Sequence, residues 1–147
     1  MKCNTCGYTF YQNAAAATAS ILLFKGKIIF TRRGKEPRKG MLDLPGGFLN
    51  YNESAEQGII REISEEIGCD VNTLSYFDSH PNTYLYKGVT YHTCDICFIG
   101  EVAGIESFKP SDEIPELVLL APFEIHIDDI AFPSLQKIVT KYLIFFA

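Results

Sequence analysis

There is no tryptophan among the 147 residues, and methionine and histidine are scarce, at two and three. Any flat ligand would therefore have to stack on one of the 8 tyrosines or 11 phenylalanines. No stretch reaches the roughly 18 apolar residues of a membrane span, so no membrane partner is expected. NAAAATASILLF has the look of a signal-peptide core. It runs straight into KGKIIFTRR, however, a turn and a second apolar run with no cleavage region, and so reads as a strand. A basic excess is also missing. Thirteen Lys and Arg against 18 Asp and Glu leave a net charge of −5, which argues against nucleic acid as a partner. The five cysteines are an odd set without a dense framework, which fits a reduced, cytoplasmic setting better than a secreted disulfide scaffold. No repeat, low-complexity tract or linker interrupts the chain. Its 47% apolar and 21% charged residues are the profile of one globular domain.

Residues 15–24 and 27–33 read as two strands joined around Gly26. GKEPRKGMLDLPGG follows as a turn-rich loop. The spacing predicts a helix over 54–67, opened by a capping box of Ser54 and Gln57 and closed by Gly68. Strands are expected at 73–79, 83–87, 90–102 and 116–120, with SDEIPE as a loop. A second helix over 133–145 begins on Pro133. Strands mixed with two helices give an α/β (α+β) fold, an α/β/α sandwich with a helix on each side of a sheet.

At 100° per residue Ala55, Ile59, Ile63 and Ile67 form an apolar stripe with Ile60 on its flank. Glu62, Glu65 and Glu66 occupy the adjoining arc, beside the core. Like charges at such spacing repel by a few tenths of a kcal/mol per pair, and Arg61, four residues before Glu65, cannot neutralise three. A solvated acidic face is the plain explanation of EISEE alone; a hard divalent cation such as Mg²⁺ or Mn²⁺ is the other. Just upstream, Arg32, Arg33, Lys35, Arg38 and Lys39 place five cations within eight positions. An acidic protein with one basic loop points either to a local anionic ligand or to a solvated loop.

The offsets decide for the metal. Gly47 is followed by five residues and Glu53, then seven residues, then Arg61-Glu62-Ile63, one residue, Glu65-Glu66, one residue, Gly68 and Cys69. Position for position this resembles the signature of the Nudix hydrolases, enzymes that split nucleoside diphosphates linked to a further group. The resemblance implies a Nudix-type α/β/α sandwich with a mixed sheet, a loop–helix–loop holding Mg²⁺ or Mn²⁺ against a diphosphate, and a pyrophosphohydrolase activity. It implies that Glu65 and Glu66 are metal ligands, with Glu62 a further ligand or base-like partner. It gives Glu53 a supporting place in the metal shell, Arg61 the orienting of a glutamate, and the carbonyl at Gly46 a place among the ligands. Gly46 and Gly47 would let the backbone approach the substrate closely. Arg32 and Arg33 would steer or hold the anion. The general base often lies outside the signature in relatives, and Glu62, Glu113 and Glu116 are all open to that role.

Looser likeness runs along most of the chain. KCNTCGYTFYQN resembles half of the four-cysteine zinc ribbon of NADH pyrophosphatases, which divides the chain into a short segment 1–12 and a Nudix domain 13–147. KEPRKGMLDLPGGFL, SHPNTYLYKGVTY and AFPS resemble a group labelled ADP-ribose or NADH pyrophosphatase-like. The tryptophan-containing stretch of NADH pyrophosphatases is absent, so base stacking would fall to residues such as Tyr84, Tyr86 or Tyr91. ADP-ribose-like and NADH-like substrates lead, with a nucleoside triphosphate next. A non-catalytic nucleotide-binding sensor on the same fold is the alternative, and isomerisation of an isoprenoid diphosphate a third. The intact acidic positions favour the enzyme. Structural zinc needs four ligands, and Cys94 and Cys97, three apart in a strand, point to opposite faces. A vestigial half-ribbon is therefore preferred over zinc at Cys3 and Cys6 shared with a second subunit, His80 or His92. The apolar tail VTKYLIFFA packs on the sheet or on a partner, and a homodimer stays open.

Overall fold

The computed structural model describes residues 1–146. Its elements are β1 (Ala15–Phe24), β2 (Lys27–Arg32), β3 (Leu42–Asp43), β4 (Gly46–Phe48), α1 (Ala55–Glu66), β5 (Val71–Tyr86), β6 (Val89–Val102), β7 (Leu117–Leu120) and α2 (Pro133–Phe146). Two single-turn 3₁₀ segments, Pro122–Glu124 and Ile127–Asp129, precede α2.

All the strands join one mixed sheet built around β1. One edge of β1 pairs in parallel with β6, from Ala15 opposite Thr93 to Leu23 opposite Glu101. Its other edge is shared: β2 takes the end near Leu22, and β4 takes the beginning, with Thr18 opposite Gly47. β3 and β7 extend β2, while β5 covers β6 as the edge strand. Because neighbouring side chains alternate in a strand, β1 sends Ile21 to one face and Leu22 to the other. Ile21, Ile28 and Phe30 pack with Ile130, Ile138 and Val139 under α2. Leu22, Ile29 and Phe98 pack with Ile59, Ile63 and Ile67 under α1. The expected helix–sheet–helix sandwich is what forms.

α1 follows its sequence closely. Ser54 accepts from the Gln57 amide at 3.1 Å, and the Gln57 side chain accepts from the Ser54 amide at 2.9 Å. Gly68, at φ +77°, turns the chain out while its amide closes on the Ile63 carbonyl. Ile59, Ile63 and Ile67 are fully buried, and Ile60 is half exposed.

Two expectations need correction. The strands at 73–79 and 83–87 are one strand, β5, running through Pro81 with a register shift between Tyr76 and Asp78. An edge strand has an open side, so a proline there need not break it. The turn-rich loop also contains β3 and β4, too short to show any periodicity. In the tail, Val139 and Tyr142 are buried, whereas Ile144, Phe145 and Phe146 stand largely in solvent.

Candidate active site

β4 is where the sheet and α1 meet. A side chain at Gly46 would lie 2.1 Å from the Thr18 carbonyl oxygen, and one at Gly47 would strike the Glu62 carboxylate at 2.7 Å. Backbone thus requires glycine at Gly46, whereas a side chain at Gly47 would push the Glu62 carboxylate from its place. The Glu62 carboxylate lies over Gly47, only 14% exposed. Glu66, one turn on, accepts a hydrogen bond from the Gly46 amide at 3.0 Å.

Arg61 ties the region together. Its Nε and one terminal nitrogen donate to the two oxygens of Glu53, at 2.7 and 3.0 Å. The other terminal nitrogen donates to Glu62 at 2.6 Å and Glu65 at 3.2 Å, and the Phe48 carbonyl accepts at 3.0 Å. A planar fork of this kind suits arginine and no other cation. Hydrogen bonding to Arg61 holds the Glu53 carboxyl below the usual carboxylate range, and the same contacts raise the guanidinium. Glu53 also accepts from the Asn50 amide, so it is a brace with both oxygens in use. Gly58 makes room for that brace. A side chain there would meet Leu49 at 2.2 Å and Glu53 at 3.2 Å, which explains a glycine inside a helix where it costs about 1 kcal/mol.

Glu66 is different. Burial pushes its carboxyl up to about 8, opposed by the Gly46 amide and reinforced by Asp43, Glu62 and Glu113. It shares a polar cavity of 260 Å³ with Arg32, Arg33, Lys35 and Glu113. Those cations are already engaged: Arg32 pairs with Glu116, Arg33 with Asp43 at 2.5 Å, and Lys35 with Glu113 at 3.4 Å. Half-buried acids with like-charged neighbours and occupied cations are a donor set suited to a hard divalent ion. Among the described residues the carboxylates are held by Arg61 and the Gly46 amide rather than gathered on a single point.

The structure brings Glu53, Arg61, Glu62, Glu66, Gly46 and Gly47 together, and sets Glu65 at the rim, its side chain 60% exposed. Glu113 borders the polar cavity, whereas Glu116 turns to Arg32. Tyr84 stacks on Tyr91 with ring centres 5.4 Å apart and lines a second, aromatic cavity. Tyr86 instead lies under the Lys87 ammonium. Cys3 and Cys6 are exposed, near the isolated Lys2–Thr9 bridge. Among the described residues no third metal-binding side chain joins them. His80 is engaged by Asp78 and His92 by Thr83.

Sequence reasoning missed the aromatic cavity's polar residues. Asp43, on the two-residue β3, has a half-buried side chain, and desolvation pushes its carboxyl up. Asp95 on β6 accepts from the hydroxyls of Thr93 and Ser134. Asn82, 6% exposed on β5, has a buried Oδ1 with no hydrogen-bond partner, a deficit that ordinarily costs about 1–3 kcal/mol. The stretches SHPNTYLYKGVTY and AFPS contain Asn82, Tyr84, Phe132 and Ser134, but nothing in them says which side chains turn inward.

Acids that cannot neutralise one another, glycines that admit a backbone close to a ligand, and cations along one wall suit the cleavage of a phosphoanhydride assisted by a divalent ion. The chain belongs to the Nudix family: the NUDIX domain model matches residues 13–141. It is a hydrolase of pyrophosphate linkages, in a family that generally uses divalent metals. Over 139 residues it is 32% identical to an ADP-ribose pyrophosphatase of Methanocaldococcus jannaschii, covering 92% of this chain and 77% of that protein. Over 146 residues it is 28% identical to the NAD-capped RNA hydrolase NudC of Stutzerimonas stutzeri. That match takes in 98% of this chain and only 48% of the relative's length. The crystal structure of a Nudix hydrolase from Nitrosomonas europaea superposes with a TM-score of 0.74 at 25% identity, over 97% of this chain and 77% of that one. Among the described residues no helix is long and apolar enough to cross a membrane.

Proposed function

We propose that this chain hydrolyses the diphosphate linkage of a nucleoside diphosphate joined to a second moiety, with ADP-ribose-like and NADH-like compounds ahead of nucleoside triphosphates. The observation that carries the reading is Glu66, half-buried among like charges and held by a single backbone amide. Mg²⁺ or Mn²⁺ would be held by Glu62, Glu66 and the Gly46 carbonyl, with Glu65 at the exposed edge. When bound, such an ion neutralises phosphate oxygens and lowers the pKa of a coordinated water.

The chain's own residues do the rest. Arg32, Arg33 and Lys35 line the same cavity, and a polyanion would have to draw them from their present partners Glu116, Asp43 and Glu113. Arg61 and Glu53 keep α1 locked to β4, so that Glu62 and Glu66 stay in register with the glycines. Among Glu62, Glu113 and Glu116, the lining of Glu66's cavity by Glu113 supports it as the group that takes a proton from water, ahead of Glu116, which is paired with Arg32. The relative named ADP-ribose pyrophosphatase supports the substrate order.

Product release from ADP-ribose, NADH, a dinucleoside polyphosphate and the nucleoside triphosphates, each with Mg²⁺ or Mn²⁺, tests the proposal. Metal-dependent turnover of one compound, reduced at least 100-fold in a folded Glu66→Gln variant, is expected. An inert panel with folded wild-type protein would move the chain to the sensor reading, with nucleotide binding but no hydrolysis.

A further inference from the structure

The aromatic cavity lies on the α2 side of Gly46 and Gly47 and shares Gly46, Leu44, Arg33 and Asp43 with the polar cavity that holds Glu66. Its 170 Å³ is below the roughly 300 Å³ of a whole small-molecule cleft, so it takes one part of a ligand. Two of its walls are aromatic. Tyr84 and Phe132 stand 5.5 Å apart between ring centres, and the Arg33 guanidinium lies 4.9 Å from the centre of the Phe132 ring. Such surfaces suit a flat heterocycle.

The polar groups inside it are not alike. Asp95 has both oxygens committed, one to Thr93 and one to Ser134. Thr93, directly across the hairpin from Asn82, spends its hydroxyl on Asp95 and offers nothing to the amide. Asn82 is 94% hidden, and its Oδ1 is the one buried side-chain polar atom without a partner among the described residues. It sits two residues before Tyr84, on the same face of β5, so the amide and the aromatic wall address the same space.

An asparagine amide carries an acceptor and a donor side by side. The complementary edge has an amino group next to a ring nitrogen, as adenine does. Oδ1, an acceptor, favours an amino group over the carbonyl that hypoxanthine presents there. Resting on the reading that the substrate is a nucleoside diphosphate derivative, we propose that Asn82 determines base specificity, its unpaired amide reading the amino edge of adenine in the Tyr84–Phe132 cavity. Oδ1 accepts from the exocyclic amino group and Nδ2 donates to the adjacent ring nitrogen. Asn82 touches neither the diphosphate nor the carboxylates and acts on selectivity alone.

The test compares kcat/KM for ADP-ribose and for its hypoxanthine counterpart in wild type and in Asn82→Leu, which keeps bulk and removes the amide. Wild type should favour the adenine compound about tenfold or more. The variant should lose that preference by slowing on the adenine compound while the hypoxanthine one changes little. Its melting temperature should hold or rise, since an unpaired buried amide has been removed. A wild type indifferent to the base, or a variant slowed equally on both with a lowered melting temperature, overturns the assignment and makes Asn82 structural. Calorimetric binding of AMP and IMP to metal-free protein separates this from failure of the hydrolase reading. AMP bound tighter than IMP in wild type only sustains the proposal even without turnover. Equal binding, or none of either, overturns it.

Discussion

On the α1 side of Gly47, a single guanidinium donates to Glu53, Glu62, Glu65 and the Phe48 carbonyl, and Glu66, half-buried, is bonded by the Gly46 amide instead. On the α2 side, a few residues away through the same glycines, the cavity is walled by rings and Asn82 Oδ1 has nothing to bond. The first half has too many acceptors of one charge, the second too few donors. Both are deficits that folding alone leaves in place, and each names the chemistry that would relieve it: a divalent cation in one, a hydrogen-bonding ring in the other.

The contrast can be broken most completely at the shared wall. Gly46→Ala would drive a methyl to 2.1 Å from the Thr18 carbonyl, with no flexible side chain to give way. A loss of about 4 kcal/mol or more is expected, read as a collapse of the denaturant midpoint together with activity.

The next effect concerns only the acidic half. The folded Glu66 carboxyl titrates at about 8 against an ordinary value of 4.5. The native state therefore holds more protons than the unfolded chain between those values, and stability falls as pH rises through them. Metal-free protein should lose on the order of a few kcal/mol across that window. A Glu66→Gln variant should show a flatter profile, and added Mg²⁺ or Mn²⁺ should restore stability near pH 8. Glu53 has the opposite sign, because Arg61 lowers its carboxyl: its contribution is present above the ordinary carboxylate range and is lost as pH falls. A melting temperature independent of pH from 5 to 8.5 in chelator would remove the argument for a metal at Glu66.

Smaller again is Arg61→Lys. An ammonium cannot replace the fork on Glu53 while also meeting Glu62 and Phe48. A 10- to 100-fold fall in metal affinity or activity, with the fold intact by circular dichroism, is expected by analogy with groups that orient metal ligands, at about that range. The smallest effect sharpens the choice of base. Glu116→Gln breaks an ion pair whose side chains are 37% and 54% exposed, worth no more than about 1 kcal/mol, and should leave kcat nearly unchanged. Glu113→Gln should lower it; equal losses in both would discard the distinction between them.

The two halves also differ in how far they could be read from the residues. The acidic half sits on consecutive turns of one capped helix and a loop just before it, so fixed offsets from Gly47 to Glu66 carry the geometry. Even there, the chain does not tell that Glu65 turns outward while Glu66 turns in. The aromatic half is assembled by register. Asn82 meets Thr93 across a hairpin, Ser134 reaches Asp95 from another element, and Asp43 sits on a strand of two residues. No local pattern announces such meetings, and Pro81 actively suggested a break where β5 continues. Gly58 was silent for a similar reason, since its purpose is space for Leu49 and Glu53.

The parallel pairing of β1 with β6 joins Ala15 to Thr93 and Leu23 to Glu101, residues far apart along the chain. The Nudix signature, by contrast, is contiguous and ends by Cys69. A growing polypeptide therefore completes its catalytic signature well before it completes the scaffold that the signature leans on. Until β6 arrives, one edge of the apolar strand AAATASILLF has no partner and is open to pairing with other chains. Non-local strand pairing of this kind is slow to form. The cost of placing the glycine loop on a central strand thus falls on biogenesis rather than on the finished fold: the most vulnerable interval comes after the signature is made and before residue 101 is in place.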